Sequence, residues 1–93
     1  MRIDDRARET YRRAKKRWKQ IKQILKLIEE MGELTSALVR WMLTGDGIGQ
    51  VREELADVAI MLEQAWLIYG EGVCYEQYYR KLASLEELLK EEG

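Results

Sequence analysis

Two short acidic motifs carry the clearest capacity for chemistry in this sequence. One is EEMGE at residues 29–33 and the other is EELAD at residues 53–57. Each places two acids three residues apart, so on a helix they project from neighbouring points of one face, where two carboxylates can share a hard cation such as Mg²⁺. Antiparallel packing of the two helices would bring the pairs together. The pairs are Glu30 with Glu33 and Glu54 with Asp57.

Charge-rich helices also contain such spacings by chance, as solvated faces, so the position of the acids relative to the apolar residues matters. With Val58 at the centre of the apolar face of its helix, Glu54 falls between Met61 and Ala65, inside the apolar arc. Asp57 falls near the edge of that arc. An ionised carboxylate in an apolar setting costs several kcal/mol unless a cation compensates it. The position of Glu54 therefore favours a metal site.

The composition excludes most other catalytic chemistry. The 93 residues include 16 Lys and Arg, 17 Asp and Glu, one Cys and no His. Without an imidazole there is no Ser-His-Asp or Cys-His arrangement and no Cys/His zinc site, so carboxylates must carry any chemistry. The single Cys74 cannot form an intrachain disulfide, and no apolar run approaches the roughly 18 residues of a membrane span. We therefore expect a cytoplasmic protein.

The sequence predicts an all-α domain that spans residues 1–93. It contains no proline, and its abundant Leu, Glu, Lys, Arg and Ala favour helix. Only TGDGIG at 44–49 and GEG at 70–72 interrupt the pattern, with Gly45 placed to end one helix and Asp46 available to help start the next. The predicted segments are a basic N-terminal helical segment at 1–20, an ExxE helix at 21–43, an ExxD helix at 48–69 and a C-terminal helix at 73–91.

The ExxE helix has an unusually wide apolar surface. Its apolar residues cover about half of the helical circumference, more than the roughly 100° stripe of a surface helix. This width predicts that the helix is covered on two sides, once by its own chain and once by a second subunit. A chain of this length is also marginally stable alone. We therefore expect at least a dimer.

Taken together, these residues resemble a known family. Trp18, Gln23, the run EEMGEL at 29–34 and the run EELADV at 53–58 are similar to the MazG-type all-α nucleoside triphosphate pyrophosphohydrolases, including their short phage-type members. The shared pattern is ExxE, a gap, and then ExxD. The resemblance covers about residues 14–85, and one departure is Lys19, where the family often has glycine after the tryptophan.

The resemblance implies a four-helix bundle that assembles as a homodimer or homotetramer and hydrolyses a nucleoside triphosphate to nucleoside monophosphate and pyrophosphate. The implied ion is Mg²⁺, with Mn²⁺ as an alternative. The implied metal ligands are Glu30, Glu33, Glu54 and Asp57. Related members also hydrolyse phosphoribosyl-ATP, so the resemblance does not fix the nucleotide.

Further site residues follow from the same resemblance. Glu29, beside the first metal pair, is the candidate for orienting or deprotonating the attacking water, with a supporting or merely exposed acid as the alternative. Lys81 and its neighbour Arg80 are candidates for phosphate contacts, against the alternative of exposed helical cations. Trp18 and Gln23 match positions on the nucleotide side, where a tryptophan face can stack on a base.

The uneven distribution of charge supports an alternative function. Residues 1–26 hold eleven Lys and Arg against three acids, whereas residues 27–93 hold five against fourteen. A basic helical segment of this kind can bind nucleic acid or an acidic protein partner. The alternative is therefore a catalytically silent helical module that binds through its N-terminal segment.

Overall fold

The computed structural model describes residues 3–92, which form four α-helices and no strand. The helices are α1 (Asp5–Arg17), α2 (Gln20–Thr44), α3 (Ile48–Tyr69) and α4 (Glu71–Glu92). This confirms the predicted all-α class and helical bundle. Helices α2 and α3 form an antiparallel hairpin that carries the two acidic motifs. None of the four helices combines the length and apolarity that a bilayer span requires.

The basic N-terminal segment is a separate helix. The side chain of Asp4 caps α1, since its Oδ1 accepts a 2.8 Å hydrogen bond from the backbone N–H of Ala7. The chain then leaves the helical conformation at Trp18 and Lys19, both of which have extended backbone angles. Helix propensity did not determine whether the chain bends there, and the structure shows that α1 and α2 are distinct helices.

Glycines with left-handed backbone angles form the α2–α3 turn. Gly45 ends α2 with a φ of 74°, which confirms its predicted role. The prediction that Asp46 helps to start α3 is wrong, because the residue before α3 is Gly47, with a φ of 88° and no side-chain cap. Asp46 instead donates its backbone N–H to the Thr44 hydroxyl. The resulting turn is short enough for α2 and α3 to lie side by side.

The second predicted break is shorter than expected. Helix α3 ends at Tyr69 as predicted, but α4 begins at Glu71 instead of residue 73. Gly70 alone separates the two helices, and its φ of 105° lies in a region that L side chains rarely adopt.

Small and polar side chains form the seam between α2 and α3. On α2 the buried residues recur at every seventh position, which returns to nearly the same face of a helix. The same spacing occurs on α3, with one buried acid added. The buried residues are Gln23, Glu30 and Ala37 on α2 and Val51, Glu54, Val58 and Ala65 on α3. Because few of these side chains are large, the two helices approach closely.

The opposite side of α2 is apolar and exposed. This surface, which we call the outer α2 face, contains Ile21, Leu25, Ile28, Val39 and Met42. The outer α2 face is the second apolar side that the helical wheel predicts. Helix α4 has no buried residue and also exposes several leucines.

Two polar contacts attach α1 to the rest of the chain. The buried Tyr11 donates its phenol O–H to Glu63 Oε1 at 2.5 Å. Burial and, secondarily, this contact with Glu63 raise the pKa of Tyr11. Arg8 forms a two-point ion pair with Glu71, in which Nη1 donates to Oε2 at 2.9 Å and Nη2 donates to Oε1. The hydrogen bonds from Arg8 lower the pKa of Glu71.

We predict that Tyr11→Phe lowers the free energy of unfolding by about 1–2 kcal/mol, because Glu63 loses its hydrogen-bond donor. Urea denaturation followed by circular dichroism measures the change. Tyr79→Phe is the matched control, since Tyr79 is an exposed tyrosine on α4 and its replacement should change the free energy by less than about 0.5 kcal/mol. Equal losses in the two variants would show that the Tyr11 contact does not anchor α1.

Candidate metal centre

The antiparallel α2–α3 hairpin brings the two acidic motifs together. Carboxylate oxygens of Glu30, Glu54 and Asp57 lie within 4.8 Å of one another. Glu30 also belongs to a second group of the same dimension, with Glu29 and Glu33. Glu30 therefore links the ExxE acids of α2 to the ExxD acids of α3. We call these five residues the acidic cluster.

Two members of the acidic cluster are buried in the seam. Glu30 and Glu54 each have a relative exposure of 6%, whereas Glu29, Glu33 and Asp57 are exposed. The burial of Glu54 confirms its predicted position inside the apolar arc. Within residues 3–92, the Oε2 atoms of Glu30 and Glu54 have no hydrogen-bond partner. Such atoms are costly, because burial removes water from a charged group without replacing its hydrogen bonds.

The other oxygen of each buried carboxylate is satisfied from its own helix. Lys26 Nζ lies 3.0 Å from Glu30 Oε1 and 3.5 Å from Glu29 Oε1. Gln50 Nε2 donates to Glu54 Oε1 at 2.5 Å. The hydrogen bond to Glu30 is the main reason that the pKa of Lys26 is raised. Each buried glutamate is thus held in place by one oxygen and leaves the other available.

Repulsion from neighbouring acids acts on Glu33. The pKa of Glu33 is raised, primarily by the negative charge of Glu30 and then by burial and by the charges of Glu54 and Glu29. Lys26 is the only cation that forms an ion pair with this cluster within the described chain. The excess of negative charge would be relieved by a bound cation.

The donor set fits a hard divalent cation. The cluster offers carboxylate oxygens alone, with no nitrogen or sulfur ligand, and Mg²⁺ prefers oxygen ligands while keeping several waters. The three exposed acids adjoin the buried pair, so solvent reaches this edge of the cluster. The two unpartnered oxygens are the atoms with the most to gain from coordination.

The predicted nucleotide-side residues lie together near the start of α2. They are Trp18 and Gln23. Gln23 is buried, and its Nε2 is 3.4 Å from the carbonyl oxygen of Trp18. Both line a pocket of about 490 Å³, which we call the basic pocket. No acid lines it within residues 3–92. Four cations do, and they are Arg8, Arg12, Lys15 and Lys19.

The predicted phosphate contacts lie elsewhere in the chain. Lys81 lines a different pocket, with Trp66 and Tyr78 between α3 and α4, and none of the acidic cluster lines that pocket. Arg80 is exposed on α4. Across residues 3–92, no hydrogen bond or ion pair joins Lys81 or Arg80 to the acids. Their role in phosphate binding stays a prediction.

Comparison with known proteins returns no match. No family model, curated sequence or solved structure is similar enough to this chain to be identified. The resemblance to MazG-type enzymes therefore rests on the motifs themselves. The geometry of the acidic cluster is an independent observation.

Sequence reasoning missed three residues near the cluster. Lys26 and Gln50 each lie four residues before the glutamate that they contact, a spacing that places side chains side by side on a helix. That spacing could have identified both. Arg40 lines a pocket with three of the cluster acids, and its position depends on how α2 meets the α2–α3 turn.

We predict that Glu54→Gln raises the metal-free free energy of unfolding by about 1 kcal/mol, because it removes one buried negative charge while keeping an acceptor for Gln50. Chemical denaturation in EDTA measures the change. Glu53→Gln is the matched control, since Glu53 is the exposed neighbour on the same helix and should leave stability unchanged. A loss of stability in Glu54→Gln would show that its charge is already compensated without metal.

Proposed function

We propose that this chain is a Mg²⁺-dependent nucleoside triphosphate pyrophosphohydrolase of the MazG-like type. The observation that carries the proposal is the pair of buried, unpartnered carboxylate oxygens on Glu30 and Glu54, with Asp57 within 4.8 Å. A helical seam that buries two carboxylate oxygens without partners loses stability unless a ligand compensates them. The motif resemblance supplies the reaction, and the oxygen-only donor set is compatible with Mg²⁺ or Mn²⁺.

Glu30, Glu54 and Asp57 hold the ion in this proposal, with Glu33 at the edge of the site. Bound Mg²⁺ would neutralise phosphate charge and lower the pKa of a water. The attacking water oxygen forms a bond to the α-phosphorus, and the bond from that phosphorus to the α–β bridging oxygen breaks. The electron pair leaves with pyrophosphate. Glu29, exposed beside Glu30, accepts the proton that the water releases.

The nucleoside occupies the basic pocket in this arrangement. Gln23 precedes Glu30 by seven residues, which corresponds to about 10 Å along a helix, so a nucleotide can reach from one to the other. Trp18 offers a ring face for a base. Because Lys81 and Arg80 lie outside the acidic cluster of their own chain, they contact phosphates only when supplied by a neighbouring subunit.

In this proposal the chain also self-associates. The outer α2 face is exposed in the single chain, and an exposed apolar surface of this kind is typical of an interaction site. Helix α4 buries no side chain of its own within the described residues. A homodimer or homotetramer would cover these surfaces and supply the burial that the small α2–α3 seam lacks.

We predict that the protein releases pyrophosphate and nucleoside monophosphate from at least one member of a panel of ribo- and deoxynucleoside triphosphates when Mg²⁺ or Mn²⁺ is present. EDTA should abolish the release. Glu54→Gln and Asp57→Asn should each reduce turnover at least about 100-fold while helical content is retained, because each removes a charged metal ligand. Chromatography of the products together with a pyrophosphate assay measures the outcome.

Two further variants, one control and one test of Glu29, accompany this measurement. Glu53→Gln removes an exposed acid from the same helix and should keep wild-type turnover. Glu29→Gln should lower turnover while leaving Mg²⁺ affinity intact, which separates a proton acceptor from a metal ligand. Full activity in both Glu54→Gln and Asp57→Asn would remove the metal assignment.

The basic pocket favours a second candidate function, binding of nucleic acid or an acidic protein by a catalytically silent module. Four cations line this pocket, and two of them, Lys15 and Lys19, form no ion pair among the described residues, so the pocket attracts a polyanion. The same panel separates the two candidates. Absence of turnover with all nucleotides, together with salt-sensitive binding to single-stranded DNA or RNA, would favour the binding module.

We predict that sedimentation velocity shows a dimer or tetramer and that Ile28→Glu shifts it toward monomer, because the substitution places a charge on the outer α2 face. Gln20→Glu adds the same charge at an exposed polar position and is the matched control. Equal sedimentation of wild type and Ile28→Glu as monomers would contradict the assembly.

A further inference from the structure

Arg40, a cation that forms no ion pair with any residue from 3 to 92, lies at one end of the acidic cluster. Arg40 lines an open pocket of about 760 Å³ together with Glu29, Glu33 and Glu54. It is the only Lys or Arg that lines this pocket among the described residues. No ion pair joins Arg40 to any of these acids within residues 3–92, although opposite charges share one pocket. Its guanidinium is therefore available to an incoming anion.

The helical register explains why Arg40 lies away from the paired Lys26. Lys26, Glu33 and Arg40 are separated by seven residues each, so they follow one face of α2. Lys26, at one end of this row, is already paired with Glu30 and Glu29. Arg40 is at the other end, where its side chain lies over the α2–α3 turn. Its Nε and Cζ are 3.8 Å from the position that a Cβ on Gly47 would occupy.

The start of α3 adds positive potential in the same area. Helix α3 begins after Gly47 without a side-chain cap, and its first turn contains no acid. The partial positive charge of this helix N-terminus is therefore not offset within the helix, and Asp46 before Gly47 is the acid next to it in sequence. Gln50, in this first turn, lines the same pocket as Arg40. The helix N-terminus thus adds to the positive charge of Arg40 in a pocket whose other charged residues are acids.

We propose that Arg40 binds the terminal phosphates of the substrate and holds the departing pyrophosphate. This inference rests on the proposed function, because it requires an ion on the acidic cluster that bridges to the phosphates. Glu33 and Arg40 are about 10 Å apart along the helix, a distance that an arginine side chain and a chain of phosphates can bridge together. The planar guanidinium donates two parallel hydrogen bonds to phosphate oxygens.

The assignment of Arg40 also determines the orientation of the bound substrate. Along α2, Gln23 of the basic pocket comes first, Glu30 of the acidic cluster follows and Arg40 comes last, near the α2–α3 turn. The nucleoside points toward Trp18 and the terminal phosphates point toward Arg40. Arg40 then neutralises negative charge that develops on pyrophosphate as the bond to the α-phosphorus breaks.

Calorimetric titration of inorganic pyrophosphate into protein saturated with Mg²⁺ tests this inference without turnover. Arg40→Gln should raise the dissociation constant for pyrophosphate by about 10- to 100-fold, the loss expected for a charge-assisted hydrogen bond. Titration of Mg²⁺ alone should be unchanged. Arg40→Lys should recover part of the affinity, because it restores the charge without the two-point geometry.

Arg52→Gln is the matched control, since Arg52 is an exposed arginine on α3 that lines neither the basic pocket nor the acidic one. It should bind pyrophosphate as the wild type does. Equal pyrophosphate affinity in wild type and Arg40→Gln, with normal Mg²⁺ binding, would overturn the Arg40 assignment and leave the proposed function intact. Absence of Mg²⁺ binding to the wild type would overturn both. Equal losses of pyrophosphate affinity in Arg40→Gln and Arg52→Gln would show that the effect depends on net charge alone. That result would overturn the specific contact.

Discussion

The buried approach of Glu30 to Glu54 across the α2–α3 seam is the constraint that shapes the rest of the structure. Two carboxylates can meet there because most of the other seam residues are small or β-branched, as Ala37, Val51 and Val58 are. Small side chains allow close approach, but they bury little apolar surface. The seam therefore accommodates the acids but does not form a large apolar core. This explains why so much apolar surface remains on the outside of the chain.

Charge changes sign along the α2–α3 hairpin. The basic pocket lies toward the start of α2, the carboxylates occupy the middle of the hairpin and Arg40 lies near the α2–α3 turn. Like charges repel within the basic pocket and within the acidic cluster, and in the cluster this repulsion raises the pKa of Glu33. A ligand that combines a divalent cation with a chain of phosphates would offset both the negative charge of the carboxylates and the positive charge of Arg40.

The helices and the buried acid could be predicted from the sequence because they depend on local patterns. The absence of proline, the glycines at 45 and 70 and the position of Glu54 among apolar neighbours all act within one helix or turn. The break at Trp18 and Lys19 could not be predicted, because helix propensity does not decide whether the chain bends there. The pocket that contains Lys81 depends on the angle between α3 and α4, which no local pattern specifies. Arg40 was missed for the same reason, since its neighbours across the pocket come from another helix.

The junction between α3 and α4 has a mechanical consequence. Gly70 alone connects the two helices, and the 22 residues of α4 contribute no buried side chain within the described chain. The direction of α4 therefore depends on the backbone torsions of this glycine together with the contacts at the start of α4, where Trp66 packs edge-to-face against Tyr75 and Glu71 pairs with Arg8 of α1. A side chain at Gly70 would strain the junction. The displacement of α4 would disturb the Arg8–Glu71 ion pair, so a change between α3 and α4 would also reach α1.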